Sequence, residues 1–142
     1  AQQIQWSYVN ELPWGLTGWN SQREAIYDLD GYDNTEFLLL ASQNDHSKYP
    51  GAWAVDFEHG WYWPSIGQLN ILYGSAPIIN NSLKLLEGAQ IQGKWFYWSS
   101  SVYGFNNDCA LYLGSDGRLG AIVKSRTDLG DIPMSIRSIR NF

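Results

Sequence analysis

Residues 95–101 read Trp95-Phe96-Tyr97-Trp98-Ser99-Ser100-Ser101. Aromatic residues in succession leave no polar side for an amphipathic helix and favour a pleated, half-buried surface. The stretch predicts a core strand that breaks into a polar loop at the serines. Such a strand needs cover. The segments before it are expected to supply that cover, and those after it to form short strands and loops that present a surface.

A chain of 142 residues, 44% of them hydrophobic, suits a single domain over residues 1–142 with one core. Eight tryptophans are more than a core of this size requires, and large amphipathic rings point to an exposed binding surface as well. The net charge is −5 and no run of Lys or Arg occurs, so no nucleic-acid partner is expected. A lone cysteine, Cys109, excludes an internal disulfide and a multi-thiol metal site, and reads as a small buried hydrophobe. No stretch of about 18 apolar residues is present to span a membrane. The chain begins Ala1-Gln2-Gln3 without methionine, which fits a mature form after signal removal or a piece of a longer chain.

In chain order, Gln3–Val9 alternates like a strand. Leu12–Gly15 and Thr17–Asn20 carry turn residues around large rings. Asp28-Leu29-Asp30-Gly31-Tyr32-Asp33-Asn34 has two readings, a calcium loop or a turn capping the next helix; its acid spacing fails the EF-hand pattern. That helix is expected from about Asn34, with Asp33 and Glu36 as a capping box and Phe37, Leu40 and Ala41 on one face. Asn44–Ser47 breaks it. Trp53 and Phe57 then sit four apart, as on one side of a helix. Ser65 and Gln68 form the stricter capping box, followed by Ile66, Leu69, Leu72 and Tyr73 at helical spacing and by Gly74 as the stop. A further helix is expected over 77–88. Cys109–Leu113 and Leu119–Val123 read as strands joined by a hairpin turn at Gly114–Gly117. Residues 124–132 read as a polar loop, and Met134, Ile136 and Ile139 as a last strand.

Several of these segments together resemble a known family. Trp61-Tyr62-Trp63-Pro64-Ser65-Ile66-Gly67-Gln68-Leu69 is similar to the W-Y-L-P-S-x-x-E-L motif of bacterial FISUMP-type lipoprotein domains. Tyr97–Ser101 is similar to that family's Y-W-S-S-T/S strand. Ala110–Leu113 with Asp116-Gly117, and the closing Ile136–Phe142, resemble its A-W-x-x-x-F-x-D-G and V-R-x-V-R-x-F patterns. The matches run in order over about residues 30–142. Leu111 stands where the family usually has Trp, and Trp63 where it usually has Leu; both exchanges keep an apolar residue. The resemblance implies an α+β, C-type-lectin-like fold, with helices in the first two thirds and a mostly antiparallel sheet toward the C-terminus. The same pattern is used by the variable proteins of diversity-generating retroelements, whose C-terminal strands and loops carry diversified ligand-binding positions. Here the corresponding region is 102–132.

Enzymatic chemistry finds little support. His46 and His59 have no neighbouring ligand at metal-site spacing and read as surface residues. Ser99, Ser100 and Ser101 lack a nucleophile elbow and read as hydroxyls that satisfy backbone groups in a loop. Formylglycine-generating enzymes share the fold the resemblance implies but depend on paired cysteines. The Glu-Pro-Asn and Gln-Pro-Asp loops of calcium-dependent lectins are absent. Arg137 and Arg140, in an apolar strand, read as pairing with carboxylates and closing the fold.

Tyr103-Gly104-Phe105-Asn106-Asn107-Asp108 combines two rings, two amides and a carboxylate on a Gly-hinged loop. Loops on a rigid scaffold carry binding residues, and aromatics with Asn are the residue types of adaptable binding surfaces; an ordinary solvated loop is the other reading. The candidate ligand-binding residues are Tyr103, Phe105, Asn106, Asn107, Asp108, Arg118, Arg126, Asp128 and Asp131. Pairing of the two strands through the Gly114–Gly117 turn is expected to bring 103–108 beside 124–132, with Arg118 at the opposite end. The expected function is ligand binding by a secreted or surface-displayed module, on a cell or a virion. The expected partner is a protein or carbohydrate on another surface, with no cofactor and no metal. Contact with a membrane is expected only through an anchor outside this chain. A structural part of a surface appendage, or an enzyme built on Ser99–Ser101 or Cys109, are the alternatives.

Overall fold

The computed structural model describes residues 4–8, 16–19, 21–74, 96–103, 109–130 and 132–140. The architecture is α+β, with a curled, mostly antiparallel sheet and, among the described residues, four α-helices. The helix expected over 77–88 lies outside the described residues, as does the segment 104–108.

The long central strand β3, Phe96–Tyr103, carries the sequence's aromatic run. It pairs antiparallel with β4, Cys109–Gly114, which pairs antiparallel with β5, Leu119–Val123. On its other side β3 pairs in parallel with β1, Gly18–Trp19, and with β7, Ile132–Ser135. Strand β6, Asp128–Leu129, pairs antiparallel with β7. A separate ribbon joins β2, Trp61–Tyr62, to β8, Ile139–Arg140. The expected last strand is thus two strands in two sheets. The chain leaves β7 at Ser135, and Met134 and Ile139 serve different partners.

Both faces of β3–β4–β5 are packed. Trp98, Val102, Ala110 and Met134 join Trp6, Leu38, Tyr49, Ala52 and Trp63 in one cluster. Leu111 and Leu113 join Ala25, Ile66 and Leu69 in the other. The helices supply these layers: α1, Gln22–Ala25; α2, Gly31–Ser42; α3, Pro50–Ala54; and α4, Ile66–Gly74.

The serines do not form a loop. Strand β3 runs through them, and Ser99, Ser100 and Ser101 are all buried. The register of β3 against β4 shifts between Trp98 and Val102, so the strand bulges there. Ser99 Oγ donates to Leu111 O at 2.8 Å and accepts from Ser101 N, tying the bulge to its neighbour strand. Buried hydroxyls are tolerated where each finds a partner, and small side chains let α2 and α4 approach the strand.

Helix α2 begins three residues earlier than the sequence suggested. Its N-cap is Asp30, and neither Asp33 nor Glu36 makes the expected box. Its buried residues are Gly31, Asn34, Thr35, Leu38 and Ser42, while Leu40 is largely exposed. The buried side is half polar, so the apolar residues alone gave the wrong phase. At α4 the capping box forms: Ser65 N donates to Gln68 Oε1 at 3.0 Å and Gln68 N to Ser65 Oγ at 3.3 Å. Helix α3 stops at Ala54, because Val55 is extended, and Phe57 belongs to a separate 3-10 turn, Phe57–His59. Trp53 and Phe57 therefore share no helix.

The N-terminal segment 4–8 works as a clasp. Ile4 N donates to Met134 O and Trp6 N to Lys124 O, two residues apart as in a strand. Trp6 is fully buried, and its Nε1 donates to Ser99 O at 2.7 Å. Trp98 Nε1 answers by donating to Ile4 O at 2.8 Å.

Candidate functional site

The Cys109↔Val123 and Val102↔Ala110 pairings set Tyr103, Cys109 and Val123 at one end of the β3–β4–β5 sheet. Beneath that end lies a buried polar centre built around Asp28, only 4% exposed. Its carboxylate accepts from Ser101 Oγ at 2.7 Å, Asn34 Nδ2 at 3.1 Å, Trp19 Nε1 at 3.2 Å and Asp30 N at 3.0 Å. Asp28 O accepts from Ser65 Oγ, and Ser101 Oγ accepts from Ile66 N at 3.0 Å. The carboxylate thus links β1, α2 and β3, and the Asp28 carbonyl and Ser101 Oγ tie in the start of α4. All four groups facing it are donors, so it acts as a hydrogen-bond acceptor; the Asp30 N bond closes a local turn, while α2 has no side-chain cap. Among the described residues no group of three or more His, Cys, Asp or Glu could hold a metal ion.

Gly67 and Gly31 allow this closeness. A Cβ on Gly67 would overlap the carbonyl oxygens of Ile26 and Asp28, and one on Gly31 would press on Gln68 Oε1 and the backbone of Trp63 and Ser65.

Of the candidate ligand-binding residues, Phe105, Asn106, Asn107, Asp108 and Asp131 lie outside the described residues. Tyr103 is half-buried, packs against the second core cluster and pairs with Trp19 of β1. Arg118 sits at the hairpin turn, where Gly114 N donates to Arg118 O; its side chain is 82% exposed and faces Asp116 at 3.7 Å. Arg126 and Asp128 are brought together, with Arg126 Nε donating to Asp128 O at 3.0 Å.

The grouping differs from the expected one. Met134 is opposite Phe96, and Asp128 is opposite the adjacent Pro133. Gly114 is opposite Phe96 on the other side. Asp128 and Arg118 therefore both sit toward the Phe96 end of the sheet, and Tyr103 lies at the far end, five strand steps or roughly 17 Å along β4. Among the described residues, Asp128 thus does not stay beside Tyr103. Lys124 turns inward, 1% exposed, with its ammonium 4.9 Å from the Trp6 ring centroid, so it is no part of a polar loop.

Two features lay outside the candidate set. Arg140 stands over the Trp61 ring at 6.0 Å on the exposed side of the β2–β8 ribbon, and no carboxylate among the described residues pairs with it. His59 is exposed and pairs with Asp56 at 2.8 Å. This hydrogen bond and the Asp56 charge hold the imidazole above its ordinary pKa. A raised folded-state value means that the pair's contribution is present below the unfolded histidine pKa and fades as pH rises through the folded one. In an NMR titration, Asp56→Asn is expected to lower the His59 midpoint; an unchanged midpoint would show that the pair does not form in solution. His46 is exposed and stacks on Trp53 at 3.8 Å, and Cys109 is half-buried. No described helix is long and apolar enough to cross a membrane.

No family model matches the sequence, and comparisons with curated proteins and with solved structures find no significant match.

Proposed function

We propose that this chain is a ligand-binding module with a C-type-lectin-like fold. It is displayed on a secreted, cell-surface or virion protein of bacterial or phage type and takes a protein or glycan through residues 102–132. One observation carries the reading. Both faces of β3–β4–β5 are occupied by core clusters, so the groups left to meet a partner are at the strand ends and in the connecting segments. Those segments hold the rings, amides and charges of the candidate set, mounted on a frame fastened by Asp28. The intact Ser65–Gln68 box and the buried Ser99–Ser101 run support the family likeness, since the residues of its motifs have structural work in this chain. Among the described members of the set, Arg126 and Asp128 are together, Arg118 is at the hairpin turn and Tyr103 is at the far end of the sheet, so a ligand touching all of them spans the hairpin.

Glycan and protein arrays probed with the purified domain test this reading. Binding to one class is expected, and Phe105→Ala or Arg118→Ala should weaken it by about 1–3 kcal/mol where the residue is a hot spot. Tyr103→Ala should weaken binding and also lower stability, because the ring is half-buried. Silent arrays, or binding unchanged in all three variants, would favour a structural role in a surface appendage. Close copies differing mainly within 102–132 would support ligand binding; differences spread over the whole surface would count against it.

A further inference from the structure

Trp19 of β1 is the register partner of Tyr103. Both rings pack against the second core cluster, so they lie on one face of the sheet. Side chains alternate along a strand, and Leu111, Leu113, Leu119 and Ala121 belong to this face as well. Cys109 and Val123 therefore point to it too. Val102 is opposite Ala110 and Cys109 is opposite Val123, which sets Tyr103 opposite Cys109. Trp19, Tyr103, Cys109 and Val123 thus form a row across β1, β3, β4 and β5, three strand spacings or about 14 Å long.

One step further in, the same face is closed: Ser101 and Leu111 are each 1% exposed. In the row itself Trp19, Tyr103 and Cys109 are half-buried and Val123 is 40% exposed. None of the four is charged. The indole N–H of Trp19 is engaged by Asp28 Oδ2 at 3.2 Å, so what this ring offers outward is hydrocarbon. We infer that the row is the anchor of the ligand-binding end proposed above, on which reading the inference rests, and that it takes an apolar side chain of a protein partner. Trp19, absent from the candidate set, is then a contact residue, and Asp28 the group that orients it. A sugar hydroxyl taken out of water needs a hydrogen-bonding group in return. Trp19, with its N–H engaged, and Val123 supply none at either end of the row. An aliphatic or aromatic side chain needs none, and Trp and Tyr are the residue types that dominate the centres of protein–protein interfaces.

NMR titration of the whole chain with toluene and, separately, with methyl β-glucopyranoside reads the row directly. Toluene is expected to shift the Trp19 indole and Val123 methyl signals, and the glycoside to leave them in place. Val123→Asp puts a charge at the exposed end of the row without opening a core cavity, and circular dichroism should show it folded. It should weaken toluene binding, and binding to protein partners found on the arrays, about tenfold. Protein hits that fall in this way support the inference. Glycan hits alone, or protein hits that Val123→Asp leaves unchanged, overturn it while the ligand-binding reading stands. Toluene that shifts no signal of the row overturns it too. Arrays silent for both classes remove the reading and the inference together.

Discussion

Replacing Asp28 with Ala is expected to destabilise the domain by about 3–5 kcal/mol, the scale of breaking a buried charged network from one side. Four donors from β1, the Asp30 backbone, α2 and β3 converge on this carboxylate. After truncation Ser101 Oγ, Trp19 Nε1 and Asp30 N lose their acceptor. Asn34 Nδ2 keeps its bond to Ser100 Oγ, which limits the loss. Asp28→Asn preserves the shape but turns an amide N–H₂ toward donors, so an intermediate cost is expected. Urea unfolding followed by circular dichroism measures both. A loss below about 1 kcal/mol for Asp28→Ala would mean that the carboxylate is not the fastening point. Because Ser101 is two residues from Tyr103, the same variant should also loosen the Tyr103 end of the sheet.

The second large effect is expected at Trp63. Its ring is fully buried, its Nε1 donates to Trp98 O at 2.8 Å, and it lies 5.4 Å from the Trp6 ring. Trp63→Ala should cost about 3–5 kcal/mol through the cavity alone. Trp63→Leu, the residue usual in the family the motif resembles, should cost less but leave Trp98 O without its donor. The neighbouring Gly51 supplies a sharper test. A Cβ there would come within 2.7 Å of the Trp63 ring and closer still to the flexible end of Ile136. Gly51→Ala should therefore be destabilising in the parent and better tolerated beside Leu at position 63. A double-mutant cycle reads the coupling, about 0.5–3 kcal/mol for residues in contact. Additive costs would show that the ring does not fill this space.

Much of the architecture was legible where local rules act alone. The Ser65–Gln68 box, the strands at 109–113 and 119–123 and their turn all follow from short-range chemistry. The serine run misled because a hydroxyl in sequence looks solvated; its partners include Asp28, Asn34, Ile66 and Leu111, distant in the chain. Helix α2 misled for the same reason. Its inner face is Asn34, Thr35 and Ser42, each satisfied by a tertiary partner or a backbone carbonyl, and apolar periodicity cannot see that. Lys124 belongs to this group too: a charged residue beside a predicted turn gives no sign that a tryptophan from position 6 will cover it. For the candidate site, the hairpin was foreseen but the fate of the chain after Val123 was not. The parallel β3–β7 pairing moves Asp128 to the Phe96 end, and no local signal in 124–135 announces a long-range parallel partner.

The N-terminal clasp carries a consequence for how the molecule is made. Trp6 closes on Ser99 across 93 residues and Trp98 on Ile4 across 94, while Ile4 also needs Met134 in place. The first two contacts cannot form during synthesis until β3 has left the ribosome and the third waits for β7, and closing such long loops is slow. Folding is then expected to end, not begin, at the N-terminus. An intermediate with the sheet formed but the Trp6 pocket still open should accumulate whenever the first residues are delayed, and that interval is when the chain is most exposed to misassembly.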